Sequence, residues 1–410
     1  MRKILQQSSW LFLAQGLGRV IGFFYTIFLA RTLGVEDFGI YAVALAYYSL
    51  FAGLADFGFS RFLIRELARG AVRPAQVFSH VAILRLTITS LLFAVFSIIL
   101  YILDPDKLRV HISLLAVLTV LPASITQTLD GILIAKQKIK ISAVSLVSLN
   151  LFTAGAGLFL IMSGFGVNGA VAALILGQLI YLITLLFFLR KQRISLLSVV
   201  KGVHLKQVLT GSLPYGLLAI LGLIYFRIDT LMLSYMRGNF ETGIYGAAYK
   251  FLEAIIFIPG AFSVVLFPTL AKLHDGNIEE MKKIYFKSMK LMVVSGIMLL
   301  IAYFFILPEV IRFFLPQYLE ATDAIKILSF SIPFIFMATP GVQVMLSSNK
   351  YLKEVIYFSS LTVVFNIVFN LIFIPKFGFR AAAWITVVSD IMSFMLFYLL
   401  INRKIFAIKK

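Results

Sequence analysis

Long apolar runs alternate with short polar connections along the whole chain. A run of about 20 apolar residues is enough to cross the hydrocarbon core of a bilayer as a helix. The pattern predicts twelve such helices, at 10–30, 40–62, 78–102, 112–134, 142–163, 168–189, 212–236, 243–267, 285–306, 325–346, 355–374 and 380–402. They leave no room for a large soluble domain.

The composition agrees with this pattern. Hydrophobic residues make up 61% of the 410 and charged residues only 13%, and a soluble chain of this length needs more polar surface than that. The first segment begins MRKILQQSSW, which resembles the charged region of a signal peptide, but its apolar run is too long for one and contains Arg19. We interpret it as a retained first helix of an all-α, polytopic membrane protein.

Basic residues are concentrated in alternate connections between the predicted helices. The richer connections include the one with Arg61, Arg65, Arg69 and Arg73, whereas the opposite side has few basic residues, such as Lys376 and Arg380. Positive charge favours the cytoplasmic side, so both termini are predicted to be cytoplasmic in a cell membrane. Topology and anionic headgroups account for the net charge of +19. Nucleic-acid binding is excluded because the short loops contain no folded module.

The second half of the chain repeats the first. LARTLGVEDFGIYAVA (29–44) aligns with LSYMRGNFETGIYGAA (233–248), GFGVNGAVAA (164–173) with KFGFRAAAWI (376–385), and the turn AKQK (135–138) with SSNK (347–350). The repeat predicts two pseudo-symmetric six-helix bundles, at 1–195 and 196–410, around a central cavity. Such halves typically rock against each other to expose a site alternately to the two sides. The architecture is typical of a transporter, with a non-transporting scaffold as the alternative.

A few charges fall inside the predicted helices, where each costs on the order of 3 kcal/mol at a helix centre. They are therefore expected to face a wet cavity or a partner. The bases are Arg19, Arg85, Arg227 and Lys250, and the acids are Asp56, Asp130, Asp229, Glu253 and Asp390. Arg85 is close enough to the cytoplasmic end of its helix for snorkelling, and Asp130 is nearly at the end of its own; we expect structural roles for both. Asp56 lies close enough to Arg61 and Arg65 for an ion pair, which makes these three residues candidates for a cytoplasmic gate.

Three of the bases predict an anion-binding cavity. Arginine and lysine bind phosphate oxygens well, so Arg19, Arg227 and Lys250 are the candidate substrate-binding residues. Gln15 and Arg19 belong to a polar face of the first helix that continues to Gly22 and Thr26.

Four further residues inside the predicted helices are candidates for the polar lining of the cavity or for coupling transport to H⁺ or Na⁺. They are Gln15, Asp229, Glu253 and Asp390. Lys250 and Glu253 are three residues apart and can pair. Arg227 and Asp229 are two apart, on different faces of one helix, so each needs its own partner.

No catalytic or cofactor motif is visible. There is no Walker loop and no metal-ligand spacing, and cysteine is absent. The simplest interpretation is transport of an anionic substrate without a cofactor and without ATP hydrolysis by this chain.

The opening residues carry a family resemblance. WLFLAQGLGRVIGFFYTIFLARTLGVEDFGIYAVALAYYSLFAGLADFGFSRFLIRELAR (10–69) resembles the start of the polysaccharide-biosynthesis flippases of the Wzx type, within the multidrug/oligosaccharidyl-lipid/polysaccharide (MOP) exporter superfamily. FRIDTLMLSYMRGNFETGIYGAAYKFLE (226–253) is similar to the start of that family's second half. The resemblance implies a MATE-like fold and a flippase for a polyprenyl-pyrophosphate-linked oligosaccharide. It also implies a cationic cavity at Arg19, Arg227 and Lys250, with membrane lipids and glycan-assembly proteins as partners.

The number of predicted helices argues against one class of substrate. Lipid II flippases resemble a fourteen-helix pattern, so twelve helices argue against the peptidoglycan precursor. Two further functions remain open besides the scaffold. A cation-coupled multidrug antiporter of the same superfamily would favour an acidic, aromatic pocket. A membrane-embedded glycosyltransferase or polymerase should show a sizeable outer loop or a carboxylate cluster able to act on a sugar, and neither is evident, although Asp104 and Asp106 lie together in one outer turn.

Overall fold

The fold is known from a computed structural model, which describes residues 2–60, 63, 67, 74–191, 205–274 and 277–406. The described residues form helices and no strands, which confirms the all-α prediction. The first seven helices whose bounds the described residues give are α1 (Arg2–Asp56), α2 (Pro74–Leu103), α3 (Lys107–Leu118), α4 (Val120–Ala135), α5 (Ile139–Leu160), α6 (Gly166–Lys191) and α7 (Leu205–Arg237). The last six are α8 (Asn239–His274), α9 (Ile278–Phe305), α10 (Leu307–Phe314), α11 (Ala321–Ser329), α12 (Ser331–Leu346) and α13 (Leu352–Lys404).

The described residues contain nine apolar spans long enough to cross a membrane. Three of them, of 47, 53 and 53 residues, are long enough for two crossings each. Each of these three is interrupted by a glycine with positive φ, at Gly34, at Gly164 and Gly166, and at Gly378. Counting these three spans twice gives twelve crossings, as the apolar pattern predicts.

The glycine turns repeat where the sequence alignment pairs the two halves. Gly34 has φ of 80° and its aligned partner Gly238 has 85°. Gly166 has φ/ψ of 52°/−137° and its aligned partner Gly378 has 59°/−142°. Residues with a Cβ rarely adopt such conformations. The internal repeat is therefore a repeat of backbone geometry as well as of sequence.

One carboxylate fixes the turn at Gly378. Glu241, in the first turn of α8, accepts hydrogen bonds from the Arg237 side chain at 2.6 Å and from the Phe379 backbone N–H at 2.9 Å. A Cβ on Gly378 would collide with this carboxylate. The end of α7, the start of α8 and the bend of α13 are thus held together at one point.

The chain divides into two compact units, Met1–Leu223 and Ile224–Lys410. In the first unit, α5 packs against α1 and α6, and a buried cluster joins α4 to α6 through Leu129, Leu133, Tyr181, Leu185 and Leu189. In the second unit, α12 packs against α8, α9 and α13. The predicted domain boundary at 195/196 stays a prediction, because α7 is one continuous helix that contributes residues to both units.

We expect Gly378→Ala to destabilise the protein, because the substitution adds both backbone strain of about 1–3 kcal/mol and a clash with Glu241. The midpoint of thermal unfolding in detergent should fall by several degrees. Gly155→Ala is the matched control, since Gly155 is helical and has open space around it; it should leave the midpoint unchanged or raise it slightly. Equal midpoints for the two variants would contradict the assigned role of Gly378.

Candidate functional site

An ion triad joins α7 to α8 within the second unit. Glu253 binds Arg227 Nη1 through Oε1 at 2.6 Å and Lys250 Nζ through Oε2 at 2.8 Å. The predicted pairing of Lys250 with Glu253 is confirmed. The single negative charge of Glu253 is shared by two cations, so the triad has a net charge of +1. The three side chains are between 22% and 29% exposed, which leaves the excess charge accessible to a ligand.

Arg227 keeps a further donor. Its Nε–H is buried and has no hydrogen-bond acceptor among the described residues. A guanidinium presents its N–H groups in a planar fork that suits phosphate and carboxylate oxygens. Because the Arg227 side chain is 23% exposed, the triad can attract an anion by charge and the exposed part of the guanidinium can orient it.

Asp229 lies at the centre of a separate buried network. It is 3% exposed, and its Oδ2 accepts hydrogen bonds from Tyr245 Oη at 2.9 Å and from Thr386 Oγ1 at 2.8 Å. Its Oδ1 accepts one from Asn370 Nδ2 at 2.9 Å. Asn370 Nδ2 also lies 2.9 Å from Asn366 Oδ1. Arg227 and Asp229 thus have different partners, as their spacing predicts.

These partners come from three different segments of the second unit. Tyr245 lies on α8, whereas Asn370 and Thr386 lie on the two arms of α13 on either side of Gly378. The Gly378 turn brings the two arms of α13 back past each other, so that both reach the same carboxylate. The Asn370 Oδ1 atom is buried without a donor among the described residues, and hence the network keeps one unsatisfied acceptor.

Asp390 follows Thr386 by one turn of α13. Its Oδ1 accepts a hydrogen bond from Tyr225 Oη at 2.6 Å, and it is 7% exposed. It lines a cavity of about 360 Å³ within the second unit, together with Tyr225, Tyr249, Pro259 and Thr386. The sequence showed no local partner for Asp390; the partner is on another helix.

The first unit does not share this polar network. Continuing the two glycine alignments without gaps places Tyr25 opposite Asp229, Leu158 opposite Asn370, Leu174 opposite Thr386 and Gln178 opposite Asp390. The six-helix arrangement therefore forms without carboxylates at these positions. Burying polar groups costs free energy unless they are well paired, so their presence in only one unit favours a functional role.

Gln15 and Arg19 lie on exposed positions of α1 in the first unit. Further along α1, Thr26 is buried and donates to the Gly22 carbonyl at 2.7 Å. Arg227 and Lys250 belong to the second unit, so a joint cavity with Arg19 stays a prediction.

The structure supports the expected structural role of Arg85, and it excludes the snorkelling alternative. Arg85 is fully buried and does not snorkel; it pairs with Asp56 and donates to Ser60 Oγ at 2.8 Å and Thr128 Oγ1 at 2.9 Å. The physical reason is that Asp56, Ser60 and Thr128 supply acceptors for its two terminal nitrogens inside the protein, whereas its buried Nε–H has no acceptor among the described residues. Asp56 thus has a partner on α2. The other two gate candidates, Arg61 and Arg65, lie outside the described residues.

Another intramembrane acid, Asp130, is also partnered. Ser142 on α5 donates a hydrogen bond to Asp130 on α4. The contact supports a structural role for Asp130.

Sequence reasoning missed the uncharged members of the network. Asn366 and Asn370 are four residues apart in an apolar run and therefore share one helix face. This spacing was the available signal, whereas nothing in the sequence marks Tyr245 or Thr386 as a partner of Asp229. No group of three or more His, Cys, Asp or Glu suited to a metal ion occurs in the described part of the chain.

Two family models and a bacterial relative match this chain. A family model described as polysaccharide biosynthesis protein matches residues 4–274, and one described as MatE matches residues 214–372. A Shigella flexneri protein with the description O-antigen transporter is 24% identical over 308 residues, which cover 70% of this chain and 71% of that protein.

Solved structures share the fold. An inward-facing multidrug resistance MATE family transporter of the MOP superfamily aligns with a TM-score of 0.78 and 16% identity over 96% of this chain and 95% of the other. The lipid II flippase MurJ, in an inward closed conformation, aligns with a TM-score of 0.70 and 16% identity over 96% of this chain and 87% of the other.

We expect Glu253→Gln to destabilise the protein by about 2 kcal/mol, because two cations are then left close together without a counter-charge. Adding Lys250→Met to this variant should recover part of the loss. The measurement is thermal unfolding in detergent, with the exposed Glu309→Gln as control. A loss that Lys250→Met does not reduce would mean that Glu253 does not stabilise the pair by charge.

Proposed function

This chain belongs to the polysaccharide biosynthesis protein family of the MOP transporter superfamily, and we propose that it is a flippase for a polyprenyl-pyrophosphate-linked oligosaccharide. It moves the lipid from the cytoplasmic leaflet to the opposite leaflet. The observation that carries the proposal is the partly exposed triad with excess positive charge, Arg227, Lys250 and Glu253, on two membrane helices. The relatives described as an O-antigen transporter and a lipid II flippase support a lipid-linked saccharide as the class of substrate.

The triad binds the diphosphate. Arg227 and Lys250 replace part of the water around the phosphate oxygens, and Glu253 keeps the two cations in position when no substrate is bound. Arg19, on α1 of the first unit, is a further candidate cation for the headgroup. The polyprenyl chain stays in the lipid, because only the headgroup needs a polar path.

Alternating access of the two units then exposes the headgroup to the opposite side. The concentration of basic residues in alternate connections supports cytoplasmic termini in the cell membrane. With that orientation and an interior-negative potential, outward movement of an anion is favourable by about 2 kcal/mol per charge per 100 mV.

The first test measures transfer of a fluorescent polyprenyl-diphosphate oligosaccharide between the leaflets of liposomes that contain the purified protein. We expect Arg227→Ala and Arg19→Ala each to slow transfer roughly tenfold or more, the size of one charge-assisted hydrogen bond. The transfer rate of Arg227→Lys should be intermediate, because lysine keeps the positive charge but lacks the planar set of N–H donors of a guanidinium. Arg312→Ala, at an exposed arginine, is the matched control and should transfer like the wild type.

A second candidate is cation-coupled multidrug antiport. The aromatic cavity at Tyr225, Tyr249 and Asp390 favours it, as does the MatE match over residues 214–372. Failure of the wild type to move any of several lipid-linked glycans, combined with expulsion of a cationic dye, would decide for antiport and against the flippase.

We also propose that Asp229 couples transport to H⁺ or Na⁺. Its carboxylate can hold a proton. Together with the side-chain oxygens of Asn366, Asn370 and Thr386, it offers the oxygen ligands that a hard cation prefers. Asp390 and Glu253 are the other candidate carboxylates, but Glu253 is already bound to two cations. Asp229 is the better candidate, because three segments of the second unit converge on it and an ion there can bias how they pack.

The coupling predicts a gradient-dependent rate. Transfer by the wild type should change when a pH or Na⁺ gradient is imposed, and Asp229→Asn should transfer at a rate independent of either gradient. Glu309→Gln, remote from the network, should respond like the wild type. If Asp229→Asn responds normally while Asp390→Asn does not, the coupling site belongs to Asp390.

A further inference from the structure

A second feature of the second unit has no part in the proposed transport path. It is a groove of about 680 Å³ between the two arms of α13. One wall is a ladder of four phenylalanines spaced four residues apart, Phe365, Phe369, Phe373 and Phe377. Successive rings stack with centroids 4.2, 6.1 and 6.3 Å apart and interplanar angles of 29°, 12° and 27°.

The opposite wall belongs to the second arm of α13. Trp384 stacks on Phe330 at 6.1 Å and 15°, and it remains 50% exposed. The ladder extends over about 18 Å at 1.5 Å per residue, close to the thickness of one leaflet of the hydrocarbon core. The groove therefore has the length and the chemistry to hold an acyl chain.

Three basic residues surround one end of the groove. Arg237 is bound to Glu241 at 2.6 Å and Arg380 to Asp323 at 2.7 Å, whereas Lys376 is exposed and forms no ion pair with the residues that the structure describes. The two arginines keep N–H groups beyond those used in the pairs. This end has an excess of one positive charge and lies at the Gly378 turn, where the apolar run ends.

The first unit lacks the groove's chemistry. The Gly166 and Gly378 alignment places Thr153, Gly157 and Ile161 opposite the first three phenylalanines, Gly164 opposite Lys376, Asn168 opposite Arg380 and Ala172 opposite Trp384. The repeated fold therefore does not require the aromatic ladder or the basic end. Among the described residues, the aromatic ladder and the basic end occur together in the second unit and not in the first.

We propose that this groove binds one anionic phospholipid, with its phosphate at Lys376 and an acyl chain along the phenylalanine ladder. The single unmatched positive charge suits a phosphodiester, which has one negative charge. A polyprenyl diphosphate has more negative charge than this end of the groove can balance. The site is independent of transport, so it can be tested without any flippase assay.

The chain has two tryptophans, Trp10 and Trp384, so Trp10→Phe leaves Trp384 as the only reporter. The full chain is reconstituted in mixed phosphatidylcholine and phosphatidylglycerol bilayers in which one or the other lipid has brominated acyl chains. At equal mole fraction, brominated phosphatidylglycerol should quench Trp384 more strongly, with a relative affinity about fivefold higher, the effect expected of one basic residue near an anionic headgroup. Lys376→Gln in this background should abolish the preference.

The control is Lys353→Gln, which removes an exposed lysine near the start of the same helix and should keep the preference. Equal quenching by the two lipids in the Trp10→Phe protein would overturn the proposal. A preference that survives Lys376→Gln combined with Arg380→Gln would overturn it as well. So would displacement of the brominated lipid by a polyprenyl diphosphate at lower mole fraction than by phosphatidylglycerol, because the groove would then hold the chain of a transport substrate.

Discussion

The cost of an unpaired charge in hydrocarbon governs this structure. Arg85 can be buried because Asp56, Ser60 and Thr128 accept hydrogen bonds from its two terminal nitrogens, and Asp229 can be buried because three side chains donate hydrogen bonds to it. Each of these contacts joins different helices. The same interactions that make a charge tolerable therefore fix which helices are neighbours inside each unit.

The charges of the ion triad are also paired inside the protein, but the triad keeps a net positive charge. Glu253 binds both Arg227 and Lys250, so neither cation lacks a counter-ion, and yet one positive charge remains. A fully matched set would be more stable and less able to bind an anion. The partial exposure of all three side chains is what allows this excess to persist, because water can still reach it.

The two units share a backbone conformation at their aligned glycines but differ in the polar and aromatic side chains that they carry. Their aligned glycines adopt nearly the same φ and ψ. Nevertheless, within the part of the chain that the structure describes, the carboxylate network, the aromatic ladder and the basic end of the groove occur in the second unit only. The repeat thus explains the fold, and the differences between its copies indicate where chemistry has been added.

The sequence by itself determined the all-α class, the twelve crossings, the positions of the turns and the pairing of Lys250 with Glu253, because each follows from local periodicity or spacing. It also located the intramembrane charges, because the hydropathy pattern shows which charged residues fall inside apolar segments. It could not give the partners of Asp229, Asp390 and Arg85. These contacts join residues from 16 to 165 positions apart, and only packing decides which helices meet. The tertiary structure therefore settled which charges are neutralised within each unit and which remain available.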